Sequence, residues 1–356
     1  MTSPSTEKGT KIAVVTGGAG FIGSHVVDLL LEQGYRVRAL DNLNSGRIEN
    51  LDHHQSNPML EFISTDLRNL PPDDPSFQGV DYVFHFAGMG DLVPSIERPV
   101  EYLSVNTMGT VQVLESARRA GVKKFVYAAS SSCYGLCDQL PTTEQAPIDP
   151  QYPYALSKLL GEQAVFHWNK VYNLPVMSIR IFNAYGPRAR TTGAYGAVFG
   201  VFLAQILAGV PLTVVGDGTQ SRDFVYATDV ARAFLLAAES DRSGEFYNLG
   251  AGNPQSINRL VELLGGEVVN LPKRPGEPQC TWADISKIRD HLNWDPLVSF
   301  EDGVGNMLKK IEDWSSAPLW DADSINSATK EWFDTLSSDA GTGDSSPSDV
   351  GSGGVK

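Results

Sequence analysis

The sequence predicts an α/β protein in which a doubly wound parallel sheet is followed by a smaller, partly discontinuous C-terminal lobe. Three observations predict it. From Lys11 onward, short apolar runs alternate with longer amphipathic segments. The first run ends in a glycine-rich turn that opens directly into a helical pattern. From about residue 185 the alternation loosens. Repeated βαβ units of the first kind place parallel strands side by side, with helices on both faces.

Taken in order, Lys11–Thr16 reads as a buried strand, Gly17–Gly23 as a tight turn, and Ser24–Gln33 as a helix closed by Gly34. Tyr35–Asp41 is a second strand with a carboxylate at its end. Met59–Ser64, Val80–Phe86 and Lys124–Ala129 continue the strands, with a helix over Pro99–Ala120. After the turn formers Asp149-Pro150-Gln151-Tyr152-Pro153 comes a helix through Tyr154, then a strand over Pro175–Ile181. Beyond it, Gly193–Ala208 reads as an apolar helix, Pro211–Val215 as a short strand, and Thr228–Glu239 as a helix capped by Thr228 or Asp229. Phe300–Trp314 and Ser324–Leu336 are amphipathic helix candidates. The Ser/Gly/Asp-rich tail from Ser337 cannot bury a core and is expected to be disordered.

The expected organisation is a flexible 1–10, a dinucleotide-binding domain over 11–185 rejoined by about 222–250, a second lobe with C-terminal helices over 186–336, and the tail 337–356.

Composition narrows the class. With 28 basic against 42 acidic residues the net charge is −14, which repels nucleic acid and anionic membranes. No run reaches the roughly eighteen apolar residues of a membrane span. Met1–Thr10 is polar and has no signal-like apolar centre, so the cytoplasm is the expected compartment. Three cysteines argue against a disulfide framework. Cys133 and Cys137 have no neighbouring ligands to complete a metal site, so none is expected.

Two features carry chemistry. The turn satisfies both Gly18-x-Gly20-x-x-Gly23 and Gly17-x-x-Gly20-x-x-Gly23, spacings that let a pyrophosphate approach the backbone at a helix start. Asp41, eighteen residues past Gly23, stands where a carboxylate accepts from ribose hydroxyls and repels a 2′-phosphate, favouring NAD over NADP. This makes the sheet Rossmann-like. Secondly, Tyr154 and Lys158 lie four apart on one helix face, and a nearby cation favours the phenolate, as a general base requires. His85 follows a buried run and reads as a satisfied core histidine; Phe199, Phe202, Leu203 and Ile206 read as core.

With these residues in place, the chain resembles an extended short-chain dehydrogenase/reductase of the nucleotide-sugar epimerase/dehydratase kind. The matches run in order through Thr16–Gly23, Asp41-Asn42-Leu43, Thr65-Asp66-Leu67, His85-Phe86-Ala87-Gly88, Asn106–Thr110, Ser130–Gly135, Pro153–Lys158, Arg180–Pro187, Arg222–Val225 and Arg274–Glu277. The resemblance implies Tyr154 as catalytic base, Lys158 as its partner on the nicotinamide ribose, and Ser130 on the reacting sugar oxygen. It implies a cofactor site of Gly17, Gly20, Phe21, Ile22, Gly23, Asp41, Asn42, Asp66, Leu67, Phe86, Ala87, Asn106, Tyr154 and Lys158, with Asn106 also supporting the active-site helix. Asp66 equally fits a helix cap. Substrate contacts are implied for Ser130, Ser132, Tyr154, Asn183, Val198, Arg222, Arg274 and Thr281, the two arginines on the diphosphate.

Dehydratases of this group need an acid pair after the Ser/Thr, where this chain has Ser131 and Ser132. That favours 4-epimerisation of a UDP-hexose through a 4-keto sugar, with NAD held tightly. The small Thr281 and the run Gly193–Val198 resemble enzymes that favour N-acetylhexosamines, so UDP-GlcNAc/UDP-GalNAc is the expected pair and UDP-Glc/UDP-Gal a second activity. A UDP-uronate 4-epimerase, another nucleotide-sugar dehydratase or reductase, and a nucleotide-sensing protein are the rival readings. The resemblance also implies a homodimer through helices over about 100–120 and 154–172, with Gly161 and Ala164 allowing close packing.

Overall fold

The computed structural model describes residues 9–189, 198–273 and 278–321, and five further positions between Ser324 and Thr335. Arg274, most of Ser324–Leu336 and the tail lie outside the described residues, as do the residues of the 193–198 run before Val198.

In chain order the first half comprises β1 (Ile12–Thr16), α1 (Phe21–Glu32), β2 (Arg36–Asp41), β3 (Leu60–Ser64), β4 (Tyr82–His85), α2 (Val93–Glu97), α3 (Pro99–Tyr102), α4 (Gly109–Ala120), β5 (Lys124–Ser130), α5 (Pro153–Tyr172) and β6 (Val176–Ile181). After it come β7 (Asn183–Tyr185), α6 (Val198–Ala208), β8 (Leu212–Val215), β9 (Ser221–Arg222), β10 (Phe224–Tyr226), α7 (Ala227–Glu239), β11 (Glu245–Leu249), β12 (Gln255–Ser256), α8 (Ile257–Leu264), β13 (Val268–Leu271), α9 (Ser286–Leu292) and α10 (Phe300–Lys309).

Seven strands form one sheet in the order β11-β6-β5-β4-β1-β2-β3, every pair parallel. The direction of winding reverses at β1, flanked by β2 and β4. The carboxyl ends of β1 and β4 therefore open into a crevice, the ligand-binding place in open α/β sheets. Period-2 alternation divides the core: Ala13 and Val15 pack with Val26, Val27, Leu30, Val230 and Phe234 of α1 and α7, while Val14 packs on the other face with Val113, Leu114, Phe125, Tyr127 and Val165. Burying each large apolar side chain contributes about 1.5–3 kcal/mol before entropy is counted.

A second apolar cluster, lying outside that sheet, joins α6, α8 and α10 around stacked rings: Tyr185 on Phe199 at 4.8 Å and Phe224 on Phe300 at 5.2 Å between centroids. Phe199, Phe202 and Leu203 are buried there, as the core reading expected. Three short pairs complete this part: β7 with β10, β8 with β13, and β9 antiparallel to β12.

Several boundaries differ from the sequence reading. Helix α1 starts at Phe21, not Ser24, because Gly20 is already its N-cap. The Pro99–Ala120 helix is interrupted by a π-helical segment at Leu103–Met108. Neither Thr228 nor Asp229 caps α7, whose N-cap is Tyr226 with no side-chain cap. Asp229 is buried in the first turn, where its Oδ2 accepts from the Leu297 and Val298 amides at 3.0 Å, fastening the segment before α10. Among the described residues no helix is long and apolar enough to cross a membrane.

Candidate active site

A cavity of about 490 Å³ runs over the carboxyl ends of β1, β2, β4 and β5. Its floor is the glycine turn. Gly17 has φ +67°, and a Cβ on it would lie 2.8 Å from the Ala87 nitrogen; a Cβ on Gly23 would overlap the Gly17 carbonyl oxygen. Only glycines let the turn, α1 and the chain after β4 close up this far. The first amides of α1, from Phe21, have no carbonyl one turn back to bind and so suit an anion. Phe21, Ile22, Phe86 and Ala87 line the same cavity.

At the far end of the turn, Asp41 is 7% exposed. Its Oδ2 accepts from the Ala19 amide at 3.1 Å and its Oδ1 from the Leu43 amide at 2.8 Å. Burial pushes this carboxyl up while these amides hold it down. Gly46 also belongs to the site, because a Cβ there would stand 2.7 Å from Asp41 Oδ2. Sequence reasoning passed over it, although Asn44-Ser45-Gly46 carried a turn signal. Asp66 caps a 3-10 turn through the Arg68 amide at 3.0 Å, and it also lines the cavity beside Asn42 and Leu67.

Behind the wall runs a directed chain of hydrogen bonds. Thr110 Oγ1 donates to the Asn106 carbonyl at 2.6 Å, so it accepts from His85 Nε2 at 2.9 Å. His85 Nδ1 then accepts from Thr16 Oγ1 at 2.6 Å. Burial holds this imidazole down to about 3. His85 is thus a satisfied neutral core histidine. Asn106, in the π-helical segment, is not part of the cavity wall; it bonds the Met89 backbone at both ends of its amide and donates to Ser157 Oγ at 2.9 Å, while Ser157 donates to the Tyr154 carbonyl at 2.8 Å. This ties the start of α5 to the segment after β4.

Ser130, Tyr154 and Lys158 meet in the cavity. Ser130 Oγ accepts from the Ser132 amide at 3.2 Å and from Ser132 Oγ at 2.8 Å, which leaves its own O–H to donate. Ser132 is outside the cavity wall and supports Ser130. The charge balance differs from the sequence expectation. Burial raises the Tyr154 phenol above its ordinary value, and the hydrogen bond to Ser130 offsets this only in part. Burial also lowers the Lys158 ammonium to about 8. The cation does not dominate because burial is the largest influence on both groups.

Asn183, Arg222 and Thr281 form a second group, next to Phe182 of the cavity wall. Thr281 Oγ1 donates to Asn183 Oδ1 at 2.7 Å and accepts from the Asp223 amide at 3.1 Å. Arg222 Nη1 binds the Ser221 and Pro278 carbonyls, each at 2.9 Å. Val198 is not brought to this group: it packs against the aromatic cluster of the second lobe at the start of α6. Gly161 also differs from expectation. It faces inward, where a Cβ would overlap the Tyr127 hydroxyl. Elsewhere Asp28, His53 and His54 converge, with the Arg188 guanidinium paired to Asp28 at 2.7 Å.

A parallel sheet with a glycine turn at its winding reversal, an acid after the second strand, and a Ser–Tyr–Lys set lining the crevice defines a dinucleotide-dependent enzyme fold of the short-chain dehydrogenase/reductase type. Residues 13–250 match the NAD dependent epimerase/dehydratase family, and the chain belongs to that family. A UDP-glucose 4-epimerase of Mycolicibacterium smegmatis is 34% identical over 310 residues, covering 83% of this chain and 97% of the relative. Among solved structures, a UDP-N-acetylglucosamine 4-epimerase of Methanobrevibacter ruminantium in complex with UDP-N-acetylmuramic acid aligns with TM-score 0.79 and 33% identity, over 85% of this chain and 99% of that one. A UDP-glucuronic acid 4-epimerase of Bacillus cereus, with UDP-glucuronic acid and NAD, aligns equally at 0.79 and 33%, with the same coverage. The cofactor is NAD, and the glycine cradle and Asp41 fit it.

Proposed function

We propose that the protein interconverts UDP-GlcNAc and UDP-GalNAc by inversion at C4, with UDP-Glc/UDP-Gal as a second pair. The observation that carries the reaction type is the Ser130–Tyr154–Lys158 set in the NAD cavity, with Ser132 spent on orienting Ser130. Ser131 and Ser132 stand where a dehydratase would carry its acid pair, which argues against dehydration. Bound NAD supplies reversible hydride acceptance. Tyr154 takes the proton from O4 and later returns it. Ser130 donates to that oxygen and orients it, and Lys158 holds the nicotinamide ribose. Phe21 and Ile22, with the glycine turn, take the pyrophosphate, Asp41 the adenosine ribose, and Asp66 the adenine. Arg222 and Arg274 take the substrate diphosphate.

The sugar is assigned from Thr281. A small side chain pinned between Asn183 and Asp223 leaves room for a 2-N-acetyl group. The solved relative of Methanobrevibacter ruminantium, named for the same N-acetylated substrate, supports this reading. Residues 11–185 with 222–250 form the NAD-binding part in this reading, and 186–336 the substrate lobe. A homodimer would join the π-helical segment before α4 and the α5 helix through exposed Met108, Leu156, Val171 and Tyr172, not through Gly161.

The test is incubation of purified protein with each UDP-sugar, uronates included, without added cofactor, following anomeric signals by NMR. Equilibration of the N-acetylated pair is expected. Loss of water or CO2, or equilibration of the uronate pair alone, rejects the proposal. Thr281→Tyr should lower kcat/KM for UDP-GlcNAc by about tenfold or more relative to UDP-Glc, the scale of a steric gate; an unchanged ratio removes Thr281 from specificity.

A further inference from the structure

We propose that Tyr127 positions Lys158, its ring face seating the ammonium and its hydroxyl anchoring the helix at the lysine's own carbonyl. This rests on the reading of Lys158 as the cofactor-ribose lysine. Tyr127 lies on β5, three residues before Ser130, and is fully buried. Lys158 Nζ lies 4.4 Å from its ring centroid, within the range of a cation–π contact. Tyr127 Oη donates to the Lys158 carbonyl at 3.2 Å. One aromatic side chain therefore fixes both ends of the lysine.

The surrounding residues are built for this contact. Gly161 lies inside α5, where glycine weakens a helix. A Cβ there would overlap the Tyr127 hydroxyl, so the ring reaches Lys158 only past a glycine. One turn beyond Lys158, Glu162 is 3% exposed. It is fixed by Arg180 at 2.6 Å and by Ser178 at 2.7 Å. Tyr154, Lys158 and Glu162 thus follow at successive fourth positions along α5, and the lysine sits between the phenol and a carboxylate whose own charge is paired. Burial lowers the ammonium and Glu162 opposes that shift. A π face adds negative potential without adding another buried charge. A plain packing role for Tyr127 would require neither the glycine nor the hydroxyl on the lysine carbonyl.

The experiment replaces the ring without changing its shape. Phenylalanine and its mono-, di- and trifluorinated analogues are placed at position 127 of the NAD-loaded enzyme, Tyr127→Phe serving as reference. The Lys158 13Cε signal of 13C-lysine-labelled protein is followed against pH and assigned by its loss in Lys158→Met. The lysine pKa should fall stepwise with fluorination, by about one unit in all, the size of a buried cation–π contact. The pH near 8 at which kcat stops rising should move with it. A Lys158 titration indifferent to fluorination in folded protein overturns the inference. The NMR titration needs no turnover, so failure of the proposed reaction with the fluorine dependence intact would reject the function and leave the lysine seat standing.

Discussion

Tyr154 lies in a site that opposes its ionisation: burial raises the phenol, and the one hydroxyl shown to help is that of Ser130. Proton removal from the substrate then depends on pH: with the phenol raised and Lys158 lowered to about 8, turnover should rise up to about pH 8 and level off above it, where each gain in phenolate is offset by loss of the lysine proton. The two groups titrate as a pair, so the profile is a property of both. Tyr154→Phe removes the proton acceptor and leaves the cofactor cradle unaltered. Turnover should drop by about 10²–10⁴-fold, the range for loss of a general base, with NAD still bound. Assay of epimerisation beside the absorbance of released nucleotide checks both halves, and substantial residual turnover would move the base elsewhere. The residue types at this site were legible in the sequence because one helix turn joins Tyr154 to Lys158. The balance between them was not, since it is set first by burial, which segments distant in sequence supply, Tyr127 of β5 among them at twenty-seven positions before Tyr154.

At the scale of elements, the strand–turn–helix unit at the N-terminus was readable because its constraints are local: Gly17, Gly20 and Gly23 serve backbone closeness within a few residues. Gly23→Ala puts a methyl group into the Gly17 carbonyl. It should destabilise the fold by about 1–3 kcal/mol and eliminate retained NAD, measurable as a lower thermal midpoint and loss of copurified nucleotide. A variant that kept both would mean the turn can relax without losing the cradle. The π-helical segment at Leu103–Met108 was not readable. Its purpose is tertiary: it presents the Asn106 side chain to the Met89 backbone and Ser157. The same is true of Asp229, whose sequence context fits a cap but whose partners Leu297 and Val298 lie nearly seventy residues on. Gly161 is the converse case. A small residue on a helix fits a subunit interface, yet this one accommodates its own sheet.

For the whole molecule, the parallel sheet was legible from βα alternation, whereas the second lobe was legible only in outline because its short strand pairs and aromatic cluster join segments far apart in sequence. That assembly makes the native state sensitive to acid in a specific way. His85, between Thr16 and Thr110, is held down to about 3, and His25, whose Nε2 bonds the Pro187 carbonyl at 3.0 Å, to about 4. Burial is the main cause for both. Each joins parts of the chain that the fold must keep together: His85 links β4 to α4, and His25 links α1 to the segment after β7. In the unfolded chain both titrate near 6.5, so as pH falls below that value the unfolded state takes up protons first. Stability is lost between about 6.5 and these lowered values. Fully developed, the loss is on the order of a few kcal/mol per histidine. Urea unfolding should therefore show a midpoint that falls steadily from pH 7 to pH 4. His85→Asn should start lower at pH 7, where its hydrogen bonds are incomplete, and fall less steeply. Equal slopes for the variant and the parent would assign the acid sensitivity to the carboxylates instead.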